Sequence, residues 1–160
     1  MTTLETAGQL AILLSGISSA AVLGGNLFDM LVNEPNLVRG FPESVGLIRR
    51  YWVHRNPGHF FRALTPVFLL STLAALAVFW PAAYGRRYLL VGSLACYLLT
   101  QAITVVYFFP RNDIIRTGTL AEVEQQLKTF GTTRFLWETL RNVFTLAASL
   151  LALWALTKPV

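Results

Sequence analysis

The chain has 160 residues, 54% hydrophobic and only 13% charged, with a mean hydropathy of +0.54. A soluble domain carries about 25% charged residues, so a water-surrounded globule is excluded as the setting for this much apolar surface. The net charge of +5 does not point to nucleic acid either, because Lys and Arg flank apolar runs instead of forming one basic face.

Taken in chain order, four apolar runs are long enough to span a bilayer, which needs roughly 20 residues. The first covers about Gly8 to Val32 and is interrupted only near its end, by Asn26 and Asp29. No Lys or Arg precedes it and it is too long for a secretion signal, so it reads as a retained helix. The second covers about Phe60 to Trp80, with Pro66 in its first turns and Pro81 closing it. The third covers about Tyr88 to Phe109, stopped by Pro110, and the fourth runs from about Thr133 to Leu156. The turn from Pro81 to Arg87 is tight and makes the second and third spans antiparallel neighbours. The connections Asn33–His59 and Arg111–Thr132 are long, and each has room for a short amphipathic piece, Glu43–Arg55 and Leu120–Phe130. The expected fold is therefore an all-α integral membrane four-helix up-down bundle, one domain over residues 1–160.

Orientation follows from the positive residues. Ten of the thirteen Lys and Arg lie in the two long loops and adjoining helix ends, and only Arg86, Arg87 and Lys158 lie opposite. The positive-inside rule puts the long loops in the cytoplasm and both termini outside, in a multi-pass plasma or inner membrane protein. Tyr51, Trp52, Phe60, Phe61, Trp80, Tyr84 and Tyr88 sit where interfacial aromatics anchor a span.

Polar residues recur at helical spacing. Ser15, Ser19, Asn26, Asp29 and Asn33 share one face of the first span, with Val22 in the one intervening place, and Gly16, Gly24 and Gly25 beside it permit close helix contact. Gly92, Cys96, Thr100 and Thr104 form a face of the third span. Glu138, Arg141, Asn142, Thr145 and Ser149 form one on the fourth. Hydroxyl and small residues on such stripes are packing devices first. Ionisable groups cost about 2.5–3.5 kcal/mol on insertion scales and need a partner or a function. Glu138 and Arg141 can pair at i,i+3, but Asp29 has no cation one turn away. Connectivity brings Asn26, Asp29, His59, Arg62, Asn112, Asp113, Trp137, Glu138, Arg141 and Asn142 to the loop-side end, where a cavity with an apolar floor, polar rim and aromatic walls would suit an amphipathic small molecule.

Cys96, the only cysteine, reads as a small buried helix residue, and no CxxC, HExxH, P-loop or GxGxxG is present. Asp29, His59 and Glu138, with His54, offer N and O ligands for a metal or haem, although His54 and His59 flank a turn and are not at helical ligand spacing.

A small-residue first helix running into Gly24-Gly25-Asn26, a third helix ending Tyr107-Phe108-Phe109-Pro110-Arg111-Asn112, and a polar start to the fourth, Trp137 to Asn142, resemble the anthrone oxygenase-like membrane proteins. In that group a proline after the third span is followed two positions later by asparagine, which Pro110 and Asn112 match. The resemblance implies oxidation of a polycyclic anthrone to an anthraquinone with O2 as co-substrate and no organic cofactor. With it go expected roles: Asp29 or His59 as base, Asn112 with them in the catalytic set, Asn26 and Arg141 as further oxyanion donors, and Trp52 and Trp137 stacking on a substrate that Glu138 helps to bind. The other readings are a non-enzymatic small-molecule binder or transport subunit, an accessory membrane subunit, and a metal- or haem-dependent oxidoreductase. The expected partners are the lipid bilayer and a lipophilic small molecule, with no nucleic acid, and homo-oligomerisation stays open.

Overall fold

The computed structural model describes residues 2–54, 56–80 and 84–158, with Tyr84 as backbone only. Arg55, the helix-closing Pro81, the rest of the short turn and the Tyr84 side chain lie outside the described residues. All regular structure among them is helical. The eight α-helices are α1 (Thr3–Phe28), α2 (Glu34–Arg39), α3 (Glu43–Tyr51), α4 (Pro57–Phe79), α5 (Tyr84–Ile103), α6 (Phe109–Thr117), α7 (Leu120–Leu127) and α8 (Phe135–Leu156). Three π-helical turns, Asp29–Asn33, Thr104–Phe108 and Phe130–Arg134, lead into α2, α6 and α8.

Four continuous helical stretches are long and apolar enough to cross a membrane: Thr3–Arg39, Pro57–Phe79, Gly85–Thr117 and Phe130–Leu156. Their outer faces carry exposed leucines such as Leu10, Leu14, Leu70, Leu98 and Leu150. Such a surface fits a lipid environment.

Two expected span ends move. The first span does not stop near Val32, because the Glu34 N–H donates to the Asp29 carbonyl and carries the helix on to Arg39. Nor does Pro110 stop the third. The π turn before it, closed by the Phe109 N–H on the Thr104 carbonyl, places Pro110 in the first turn of α6, where no donor is needed from it. At 37 and 33 residues these rods are about 55 and 50 Å long against a hydrocarbon core of about 30 Å, so both project beyond it.

Small and hydroxyl residues zip the bundle. Gly8 lies against Phe79, and Gly25 against Phe60. Between them Ser15 Oγ meets Thr72 Oγ1 at 2.7 Å, so α1 and α4 run in opposite directions. The Ser149 hydroxyl donates to the Gly16 carbonyl at 3.2 Å, joining α8 to α1. Ser93 donates to the Ala148 carbonyl at 2.7 Å and Thr100 meets Thr145 at 3.2 Å, joining α5 to α8. Gly24, expected at a close contact, has nothing within 4 Å of where a Cβ would stand. On α5 the fully buried line is Arg86, Leu90, Ser93, Tyr97 and Thr100 rather than the expected Gly92, Cys96, Thr100 and Thr104; Cys96 is half-buried, one position round the helix.

Beyond the bundle the connecting helices build a second small core from Leu37, Val45, Ile115, Val123, Leu127 and Phe130. Arg49 locks it, donating from Nε to the Ile115 carbonyl (3.0 Å) and from Nη2 to the Gly118 carbonyl (2.6 Å) at the end of α6. Those carbonyls have no intrahelical partner, so the guanidinium satisfies them. The clamp holds α3, and with it Trp52, over the loop-side end of the bundle.

Candidate functional site

A cavity of about 490 Å³ opens at that end, where the two long rods leave the bundle. Its walls come from every element that meets there. Val22, Asn26, Asp29 and Asn33 come from the first rod, Trp52 from the α3 end, and Pro57, Phe61 and Arg62 from α4. Thr100, Gln101, Thr104, Phe108 and Asn112 come from the third rod, and Arg134 and Arg141 from the fourth. All three π turns lie at this level, and each delivers wall residues. A π turn holds one residue more than an α turn, so it rotates the following helix by about 100°. Here that rotation brings the Glu34 and Leu37 side chains to the same wall as Asp29.

The inner wall is charged and almost dry. Arg134 Nε lies 2.6 Å from Glu34 Oε1, with the two side chains 7% and 11% exposed. Arg134 Nη2 is 3.9 Å from Glu138 Oε1 and donates to Asn112 Oδ1 at 3.3 Å. Arg141 Nη2 donates to Glu138 Oε2 at 3.2 Å, the i,i+3 pair expected from the sequence. Phe108 stacks beneath both guanidiniums, 4.0 Å from Arg141 and 5.1 Å from Arg134. Cations over a desolvated ring gain from its quadrupole, which helps hold the cluster. Asp29 receives the Asn33 amide at 2.5 Å on one oxygen. Three carboxyl groups (Asp29, Glu34, Glu138) therefore share the inner wall with two guanidiniums (Arg134, Arg141).

Several buried polar atoms there have no protein partner. Asn26, only 2% exposed, leaves Nδ2 unpaired, and Arg141, 5% exposed, leaves Nε unpaired. Unpaired buried donors each cost about 1–3 kcal/mol, and both belong to side chains that line the cavity. Asn112 uses its carbonyl on Arg134, so its amide N–H groups face away from that bond.

Of the residues singled out in the sequence, Asp29, Asn26, Asn112, Trp52 and Arg141 all line the cavity. Glu138 stands behind Arg141, 1% exposed, and acts on the cavity through the two arginines. Trp137 is half-buried and leans on Tyr107, ring centroids 5.3 Å apart, away from the wall. His59 is exposed at the start of α4, where its Nδ1 accepts the Asn56 backbone N–H at 3.2 Å in a capping box. His54 is exposed as well. Two further residues of the cluster, Glu34 and Arg134, went unread as such: Glu34 falls in a segment that looks like loop, and Arg134, at the start of the fourth span, counted there only as a loop-side positive charge. The spacing Arg134, Glu138, Arg141, four residues and then three, was the available signal for one helical face. Phe61, expected as a membrane anchor, lines the cavity beside Trp52.

Among the described residues no group of three His, Cys, Asp or Glu side chains is gathered as a metal ion would require. What the arrangement offers is a carboxylate with one free oxygen, neutral and cationic N–H donors, and flat apolar walls. Comparison of the chain with family models, with curated proteins and with solved structures found no match.

Proposed function

We propose that the protein is a membrane-embedded oxidoreductase of the oxygenase type, acting with O2 on a lipophilic aromatic molecule that carries an acidic C–H beside a carbonyl, as an anthrone does. In this reading the four spans form an up-down bundle with the basic loops in the cytoplasm, and the cavity lies at the cytoplasmic end. The observation that carries it is the convergence of Asp29 with the unpaired donors of Asn26 and Arg141 on one aromatic-walled cavity of about 490 Å³.

The chemistry asks little of the protein. Asp29 takes one C–H proton, and the carbanion delocalises into a phenolate whose oxygen accepts N–H bonds from Asn26 and Arg141. O2 forms a new C–O bond at the carbanion carbon, and the peroxide takes the proton back from Asp29. Loss of water then removes the second C–H proton and breaks the O–O bond. One CH2 becomes C=O, one O2 is consumed and one water leaves. Because the substrate enters neutral and its proton stays on Asp29, the net charge of the site is unchanged when the oxyanion forms. Bringing an already charged anion into the same place would add a charge, which a low-dielectric site resists.

The test is O2 uptake by protein in lipid nanodiscs supplied with anthrone. Asp29→Asn should lower turnover about 10²–10⁴-fold, and Asn26→Ala about 10²–10³-fold, with both variants still binding the ketone product. Full turnover in both would overturn the proposal. Binding without turnover in the wild type would make the protein a carrier.

A further inference from the structure

The cavity sits where a helix contact is missing. α4 and α5 touch far less than α1 with α4, α5 with α8, or α1 with α8. On the loop side of the core that Leu76 and Leu90 share, Phe68 and Tyr97 stack at 3.9 Å and Thr65 bonds the Tyr97 hydroxyl at 3.1 Å. One and two turns further toward the loops the facing residues, Phe61 and Pro57 on α4 and Gln101 and Val105 on the third rod, are cavity wall and not a packed seam. The helices therefore part below Tyr97, and the space between them is continuous with the cavity.

The rim of this gap changes character with depth. Val105 and Phe109 are 53% and 51% exposed, and both line the cavity while facing outward. One to two turns beyond, the rim is an exposed ion pair, Arg116 Nη2 to Asp113 Oδ1 at 2.6 Å. Arg86, at the far end of the same rod, is about 28 Å from Val105 along the axis, which puts Val105 in the last turn of a hydrocarbon core about 30 Å thick and Phe109 at its interface. Apolar lips at lipid depth and charged lips at headgroup depth form an edge that matches the bilayer.

We infer that the cavity opens sideways into the membrane through the slot between α4 and the α5–α6 rod, and that its ligand is a neutral amphiphile drawn from the bilayer. The ligand's apolar body lies between Phe61 and Val105 while its polar end reaches the unpaired Asn26 amide. This deepens the function proposed above and rests on it for the identity of the polar end; the slot itself is tested without turnover.

A nitroxide is attached at Gln101→Cys, and separately at Thr104→Cys, in a Cys96→Ser background reconstituted in phosphatidylcholine vesicles. Its collisions with O2, which concentrates in hydrocarbon, are compared with those of a water-soluble nickel chelate. Lipid-facing Leu98→Cys and loop-side Glu124→Cys are the references. The slot predicts an O2-to-nickel ratio near that of Leu98→Cys, and loss of the O2 collisions when Val105→Trp narrows the opening. A ratio nearer Glu124→Cys would mean a mouth on the water side, and collisions unaffected by Val105→Trp would mean no slot; either overturns the inference. Proton transfer at Asp29 would stand in both cases, since it is read by the turnover of Asp29→Asn.

Discussion

Replacing Arg134 with methionine removes the cation shared by Glu34, Glu138 and Asn112 while keeping most of the side-chain volume. Glu34, 8% exposed, loses its ion-pair partner, and Arg141 is the cation left to Glu138. Two unit charges about 4 Å apart interact by about 4 kcal/mol at an effective dielectric of 20, and removing one member of a buried pair costs about 3–5 kcal/mol. For a chain of this size each kcal/mol moves the melting midpoint about 2–4 °C, so Arg134→Met should melt about 6–20 °C lower. Helix loss followed by circular dichroism in nanodiscs reads this directly. Glu34→Gln should cost less, because Arg134 keeps Glu138 at 3.9 Å and Asn112. The double variant should fall short of the sum by about 0.5–3 kcal/mol. A single-variant cost below about 1 kcal/mol, the value of an exposed pair, would show that the network is solvated, and the argument for a dry, charge-conserving site would fail.

Other expectations follow from particular contacts. A Cβ on Gly8 would stand 2.6 Å from Phe79, itself 1% exposed and covered by the Arg86 guanidinium at 4.2 Å, so Gly8→Ala should destabilise by about 1–3 kcal/mol. Gly24 faces open space, and Gly24→Ala should instead stabilise by about 0.5–1 kcal/mol; parallel melts of the two variants separate them. His59→Ala should cost no more than about 1 kcal/mol, the value of a helix cap, and leave O2 uptake unchanged. A large loss of activity there would return His59 to the site. Glu122 is held below the ordinary carboxylate range by the Thr119 backbone N–H and then the Thr119 hydroxyl. A depressed acid stabilises above its unfolded value and loses that contribution as pH falls through its folded one. The protection of the Thr119 amide, its exchange measured against a free peptide at the same pH, should therefore be high at neutral pH and fall only below the usual range for glutamate; protection that does not change with pH would contradict the cap.

Hydropathy made the four apolar stretches legible, because lipid-facing residues need only be apolar. The polar face of the first helix was legible for a related reason: Ser15, Ser19, Val22 and Asn26 keep helical spacing and are all buried, each 2% exposed or less. What could not be read was the change of phase at the π turns. Glu34-Pro35 looks like the start of a loop, yet the π turn at Asp29–Asn33 leaves Pro35 in the first turn of α2, where its missing donor costs nothing, and swings Glu34 onto Arg134. The Tyr107-to-Asn112 segment reads as a stop for the same reason, although Asn112 lies on a continuing helix. His59 was misplaced by its position after Asn56-Pro57-Gly58, which reads as a turn but is the capped first turn of α4. Long-range pairs such as Arg49 with the α6 carbonyls carry no local pattern at all.

The most direct measurement is the absorption spectrum of anthrone added to the protein under argon. With O2 excluded, proton removal by Asp29 should stop at the carbanion, held as a phenolate by Asn26 and Arg141. Its extended conjugation gives a red-shifted band that should appear with wild-type protein and vanish in Asp29→Asn. An equal band in both, or none in the wild type while anthrone is bound, would contradict the assignment of Asp29 as the base and of the cavity as the place where the anion forms.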